Sequence, residues 1–146
     1  MVNKMNEMTI NMKSVFSSGL VAGIIIIVIG FELVPILGDQ MNVVLESCSL
    51  PPLSIGAMVF FAFVSVTFGI SVMWLYALIQ SRFKSKLKAA VVSAMIFWFY
   101  AYFIPNSALV AYGFMPFSLS AIGTAWGILE VLIACIIGSR LYKEAK

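Results

Sequence analysis

The chain has no histidine and only two cysteines in 146 residues. Without imidazole there is no His-held haem, no His-ligated zinc or copper, and no histidine proton relay. Cys48 and Cys135 are too few for a metal site built from cysteine alone. There is also no Cys-x-x-Cys pair to support thiol oxidation. The acids do not cluster, so the sequence points to no cofactor, no metal site and no enzyme. Charge is scarce as well: 10% of residues are charged and 62% are hydrophobic, against roughly 25% and 45–50% in an ordinary soluble domain. Such a chain cannot cover a surface facing water. That excludes a soluble globular enzyme, a disordered tail and a nucleic-acid-binding domain, and leaves an all-α integral membrane protein.

What is present is long apolar sequence. A bilayer core about 30 Å thick needs roughly 20 apolar residues in a helix, and four stretches supply this: 15–37, 53–79, 87–104 and 117–141. They must be helical, because an open strand would leave backbone donors and acceptors unpaired in hydrocarbon, and runs such as 24–29 lack the alternation of a barrel strand. The expected architecture is a single four-transmembrane-helix bundle over 15–141, with tails at 1–14 and 142–146. The third stretch is short, and the connection from Pro105 to Pro116 is itself apolar, so this helix either continues kinked past Pro105 or leads into an interfacial segment. The first stretch is longer than a signal-peptide core and reads as an uncleaved helix.

All nine Lys and Arg fall on one side of this arrangement. Lys4 and Lys13 precede the first span; Arg82, Lys84, Lys86 and Lys88 lie between or flanking the second and third; Arg140, Lys143 and Lys146 lie at or beyond the end of the fourth. The positive-inside rule then puts both termini and the 80–88 loop in the cytoplasm. The basic run at 82–88 reads as a topological and lipid-headgroup anchor, with no nucleic-acid partner. Cys48 falls in an outer loop and Cys135 in the cytoplasmic half of the last span, too far apart for a disulfide. Trp74, Tyr76 and Tyr142 towards the inner end, and Trp98, Tyr100, Tyr102 and Tyr112 towards the outer end, read as interfacial aromatic belts.

Helix association in lipid relies on small residues that let backbones approach. Gly19 and Gly23 lie one turn apart in the first span. Gly123, Gly127, Glu130, Ala134 and Gly138 advance by three or four along the last, forming one stripe. The first and last spans are therefore expected to form the tightest pair, or a face for a second copy.

Glu130 is the chemical exception. It falls near the middle of the last span, where a charged side chain costs about 2.5–3.5 kcal/mol on insertion scales, and no Lys or Arg lies at its depth. It is expected to face another helix as the neutral acid, hydrogen-bonded to a hydroxyl such as Ser65, Thr67 or Ser71 or to a backbone carbonyl. Such a carboxyl serves either as a structural interhelical bond or as a carrier of a proton or cation. Glu32, closer to the outer end of the first span, is the second candidate intramembrane acid and is expected to reach headgroup water.

The segment VMWLYALIQSRF together with WGILEVLIACIIGSRLYKE resembles a recurring type of small, uncharacterised four-helix protein of the bacterial inner membrane. The Trp-Gly-x-x-Glu run of that type falls on Trp126, Gly127 and Glu130, and its closing Gly-x-x-Leu-Tyr on Gly138, Leu141 and Tyr142. The resemblance covers about a third of the chain and implies a bacterial inner (plasma) membrane location but no activity. Small multidrug transporters are similar in size, yet Glu32 is too close to the outer end for their working acid, and the one-sided charge contradicts their topology. The first functional expectation is an accessory or assembly subunit of a larger membrane complex, its partners being the bilayer and either other subunits or itself. The alternative is a homo-oligomeric proton- or cation-coupled transporter or channel using Glu130.

Overall fold

The structure, a computed structural model, describes residues 10–145 and is helical throughout its ordered elements. The chain runs α1 (Met12–Phe31), α2 (Val34–Ser47), α3 (Ile55–Ile79), α4 (Lys86–Trp98), a wide turn (Phe99–Phe103), α5 (Ile104–Ala111) and α6 (Phe117–Leu141). Four helical stretches are long and apolar enough to cross a membrane: Met12–Phe31, Ile55–Arg82, Lys86–Ala111 and Phe117–Leu141. The protein is thus an all-helical membrane bundle. Of the residues expected in the tails, Lys4 and Lys146 lie outside the described residues.

Polar caps set several helix ends. The Asn11 side chain accepts from the Ser14 N–H at 3.1 Å and starts α1; Ser54 does the same for α3 through the Ala57 N–H at 3.2 Å. Each cap satisfies one of the donors that a helix start leaves orphaned. The first span expected from sequence reaches residue 37, but α1 stops at Phe31. Pro35 has no N–H to give the carbonyl one turn back, and its ring crowds that carbonyl, so the chain breaks at Glu32–Leu33. It restarts as α2 with Pro35 in the first turn, where a missing N–H costs nothing. The outer loop expected after residue 37 is therefore mostly helix. α2 turns Leu37, Gly38 and Met41 inward and leaves Asp39, Asn42 and Glu46 exposed. Ser49 ends it with a φ of +58°, and Leu50 N–H reaches back to the Leu45 carbonyl in the manner of a Schellman cap.

Pro105 acts differently. The helix that begins at Lys86 runs past the expected boundary at residue 104 to Ala111, the first of the two courses the sequence allowed. The backbone widens by one residue at Phe99–Phe103, where the Ile104 N–H bonds the Phe99 carbonyl five residues back. This wide turn absorbs the donor that proline lacks. It leaves Tyr102 and Asn106, one turn apart, both reaching α6. Gly113, at φ +78°, closes α5 with the same return bond, from Phe114 N–H to the Leu109 carbonyl.

The tightest backbone approach is between α1 and α3, which corrects the expected pairing of the first and last spans. A Cβ on Gly19 would lie 2.6 Å from the Cα of Ile70, and one on Gly23 2.6 Å from the Cα of Val66; a Cβ on Gly69 would collide with the backbone of both α1 glycines. Helix α6 closes the bundle against α1, α3 and α4. Its Gly138 receives the Met73 side chain, 2.6 Å from where a Cβ would stand, and the small residues Ala89, Ala90, Ser93 and Ala94 of α4 are fully buried.

The end of the bundle that carries the basic residues is close-packed. Val72, Met73, Tyr76, Val131, Ala134 and Cys135 have no exposed surface. The Lys143 N–H donates to Ser14 Oγ at 2.7 Å, tying the end of α6 to the start of α1. Tyr76 packs edge-on against Tyr142, with ring centroids 5.8 Å apart. Tyr76 is thus a core residue, not a belt residue, whereas Trp74, Tyr100 and Tyr112 are exposed as a belt requires.

Candidate functional site

The opposite half of the bundle is open inside. A cavity of about 490 Å³ lies between the end of α1, the first half of α3, the start of α2, the wide turn with α5, and the first half of α6. Most of its wall is aliphatic, aromatic or methionine, including Met41, Met58 and Met115. Thioether side chains are unbranched and polarisable and adapt to irregular shapes. The cavity falls within the size range of small-molecule sites, about 300–1,000 Å³.

Its polar groups gather around Glu130. This residue, at mid-length of α6, is only 6% exposed, and it borders the cavity. Tyr102 Oη donates to Glu130 Oε2 at 2.9 Å. The ring of Tyr102 lies against Gly127, so close that two of its atoms would stand 2.7 and 2.9 Å from a Cβ there. On the other side, a Cβ on Gly30 would lie 3.3 Å from Glu130 Oε1. Two missing side chains therefore define the acid's seat: Gly127 admits the tyrosine that holds one oxygen, and Gly30 leaves room beside the other.

A second layer of hydrogen bonds fixes the helices around this seat. Trp98 Nε1 donates to the Thr124 carbonyl at 2.8 Å and Asn106 Nδ2 to Thr124 Oγ1 at 2.9 Å, while Ser120 Oγ donates to the Asn106 carbonyl at 3.2 Å. All three link the wide turn and its flanks to α6. Trp126 Nε1 donates to the Ile29 carbonyl at 3.0 Å, linking α6 to α1 just before the chain breaks at Glu32. Bonds of this kind between membrane helices average about 0.6 kcal/mol each, with a maximum near 1.7, so together they position the seat more than any one of them does.

The sequence-expected residues divide into three groups. Glu130 is buried against other helices as expected, but its partner is not one of the hydroxyls proposed for it. Ser65, Thr67 and Ser71 donate instead to the carbonyls of Phe61, Phe63 and Thr67 in their own helix, at 2.9, 3.0 and 2.8 Å, because a membrane helix gives an isolated hydroxyl its cheapest acceptor one turn back. Glu32 is exposed at the C-terminus of α1 and does not join the site. The stripe Gly123, Gly127, Ala134, Gly138 does not act as a single packing seam. Gly127, Ala134 and Gly138 are buried in contacts within the chain, while Gly123 has nothing within 4 Å of a Cβ and lines the cavity. Arg82, Lys84, Lys86 and Lys88 lie at the far, close-packed end. Sequence reasoning missed Tyr102, Gly30 and Asn106. The available signal was two polar side chains, Tyr102 and Asn106, at helical spacing on either side of Pro105 in an otherwise apolar span.

Among the described residues no group of His, Cys, Asp and Glu is arranged to hold a metal ion. Fold and site together define a class: an all-helical membrane protein with a cavity in one half of its bundle and a buried carboxyl at the floor. Compared with protein-family models, curated proteins and solved structures, the chain has no match.

Proposed function

We propose that this chain is a small multi-pass carrier of a bacterial inner membrane, proton- or cation-coupled, in which Glu130 is the working group. One observation carries the reading: the acid sits on the floor of a cavity with one oxygen held by Tyr102 and the other beside the open space left by Gly30. A carboxyl serving only as a structural bond has no use for a cavity. Placement of every described Lys and Arg at the close-packed end supports cytoplasmic termini; on this reading the cavity faces the outer side and Glu130 is reached from there. The packed half beneath it, with Val131 and Ala134 fully buried, separates the acid from the cytoplasm in this conformation.

The other reading, an accessory subunit of a larger membrane complex, is supported by small size and short connections. Small-residue stripes on more than one span were a further support. Gly19, Gly23, Gly69, Gly127 and Gly138 all make contacts inside the single chain, which favours the carrier.

The test is charge movement in proteoliposomes on a solid-supported membrane. A pH jump on the cavity side should give a displacement current in the wild type and none in Glu130→Gln. Equal currents in both proteins would remove Glu130 from the function.

A further inference from the structure

The polar groups lining the cavity are unequal in kind, and the imbalance speaks to what it takes. The hydroxyl donors are spent: Tyr102 on Glu130 Oε2, Ser65 on the Phe61 carbonyl, and Ser120 on the Asn106 carbonyl. The Asn106 amide spends one N–H on Thr124. Among the described residues no Lys or Arg borders the cavity. What remains is the second Asn106 N–H and, at the floor, Glu130 Oε1, which receives no hydrogen bond among the described residues and becomes an acceptor once its proton leaves. The rest of the wall is apolar and rich in methionine.

We infer that the cargo is a lipophilic amine, a compact apolar body bearing an ammonium group, whose N–H donates to Glu130 Oε1 while the body fills the methionine-lined space. This rests on the carrier reading and names its substrate class. An anion would meet a carboxyl and no cation. A neutral donor would gain one hydrogen bond but not the charge-assisted one, which is roughly twice as strong. The tyrosine bond leaves one oxygen in place for the incoming group, so the site accepts the ammonium without rearranging.

Proton and ammonium then compete for one oxygen. When the carboxyl of the empty site is protonated, the proton occupies Oε1, since Oε2 accepts from Tyr102. When the ammonium binds, the Oε1–H bond breaks, the proton leaves through the cavity mouth, and an N–H···Oε1 contact forms. One cation enters, one proton departs, and the charge at the floor is unchanged. Among the described residues, Tyr102 is the titratable group in contact with the Glu130 carboxyl and Gly30 is its neighbour on α1; α3 contributes Ser65 and Phe68 to the same cavity wall, neither of them charged.

The experiment is calorimetric titration of the full chain in phosphatidylcholine nanodiscs, with empty nanodiscs subtracted. The probes are 4-phenylbutylammonium, its trimethylammonium analogue, 4-phenylbutanol and 4-phenylbutyrate. Repeating the titration in buffers of different ionisation enthalpy counts the protons released. The expected result is binding of the ammonium with one proton released, with at least about tenfold weaker binding of the other three probes and of the ammonium to Glu130→Gln. Alcohol or carboxylate binding as tightly as the ammonium, or ammonium binding without proton release, would overturn the inference. Equal binding of the trimethylammonium analogue would overturn the donor requirement. Ammonium binding without any displacement current in the wild type would sink the carrier reading and leave the ligand class standing; current without ammonium binding would do the reverse.

Discussion

Tyr102 and Glu130 meet across the interface between the third and last membrane spans, with the phenol donating to Oε2 at 2.9 Å. The contact depends on two backbone features that carry no functional group of their own. The wide turn at Phe99–Phe103 contains Tyr102, and Gly127, one turn from Glu130, clears a slot for the ring. The acid is thus held by the tertiary structure and not by its own helix.

Removing the phenolic hydroxyl isolates that bond. Tyr102→Phe keeps the ring against Gly127, so the expected loss of stability is about 0.6 kcal/mol and no more than about 1.7. Unfolding in mixed micelles measures it. A double-mutant cycle with Glu130→Leu should return a coupling of that size; zero coupling would mean that the bond does not form in the bilayer.

Two glycines on the same face of α6 should respond oppositely to the same change. Gly127→Ala drives a methyl into the Tyr102 ring and is expected to cost about 1–3 kcal/mol. Gly123→Ala places its methyl in open space and should be neutral or slightly stabilising through better helix propensity, by up to about 1 kcal/mol. Comparing the thermal midpoints of the two variants checks both predictions at once. Equal losses would contradict the placement of Tyr102.

At the α1–α3 crossing, Gly69→Ala should be among the most damaging single-methyl additions in the protein. Its Cβ meets backbone atoms of Gly19 and Gly23, which cannot swing aside, whereas a Cβ on Gly138 meets the flexible end of Met73. The expected order of destabilisation is Gly69→Ala above Gly138→Ala, read from expression level and midpoint of unfolding in detergent.

Filling the cavity tests it separately from the acid. Gly123→Phe projects a ring into the space while leaving Glu130 and Tyr102 in place. Folding should survive, and the charge displacement on a pH jump should fall as access to the acid narrows. An undiminished current would show that the proton reaches Glu130 by another route.

Trp126→Phe removes the indole N–H that reaches the Ile29 carbonyl. The ring body stays packed, so the cost should stay within about 0.6–1.7 kcal/mol. The measurable signature is faster amide hydrogen exchange at the end of α1, where that tie holds the helix just ahead of the break at Glu32.

Much of this molecule was legible before any coordinates. Apolar runs of about 20 residues can satisfy their backbone in lipid only as helices, so helices and their approximate ends followed from composition. One-sided Lys and Arg placement follows from the cost of moving charge through the bilayer, and the isolation of Glu130 from its depth in an apolar helix. Each of these is local: it depends on what a residue is and how far along the chain it lies.

What tertiary structure alone decided is which groups meet. The glycines of α1 mesh with α3 because Gly69 is the backbone position there that admits them, and no stripe on α1 names its partner. Pro35 broke one helix and Pro105 only widened another, because one lies where the chain turns into the cavity wall and the other where α6 holds both flanks by hydrogen bonds from Trp98 and Asn106. The partner of Glu130 was hidden for the same reason. Ser65, Thr67 and Ser71 each bond a carbonyl of their own helix, but a tyrosine's reach is spent on whichever helix the packing brings within 3 Å.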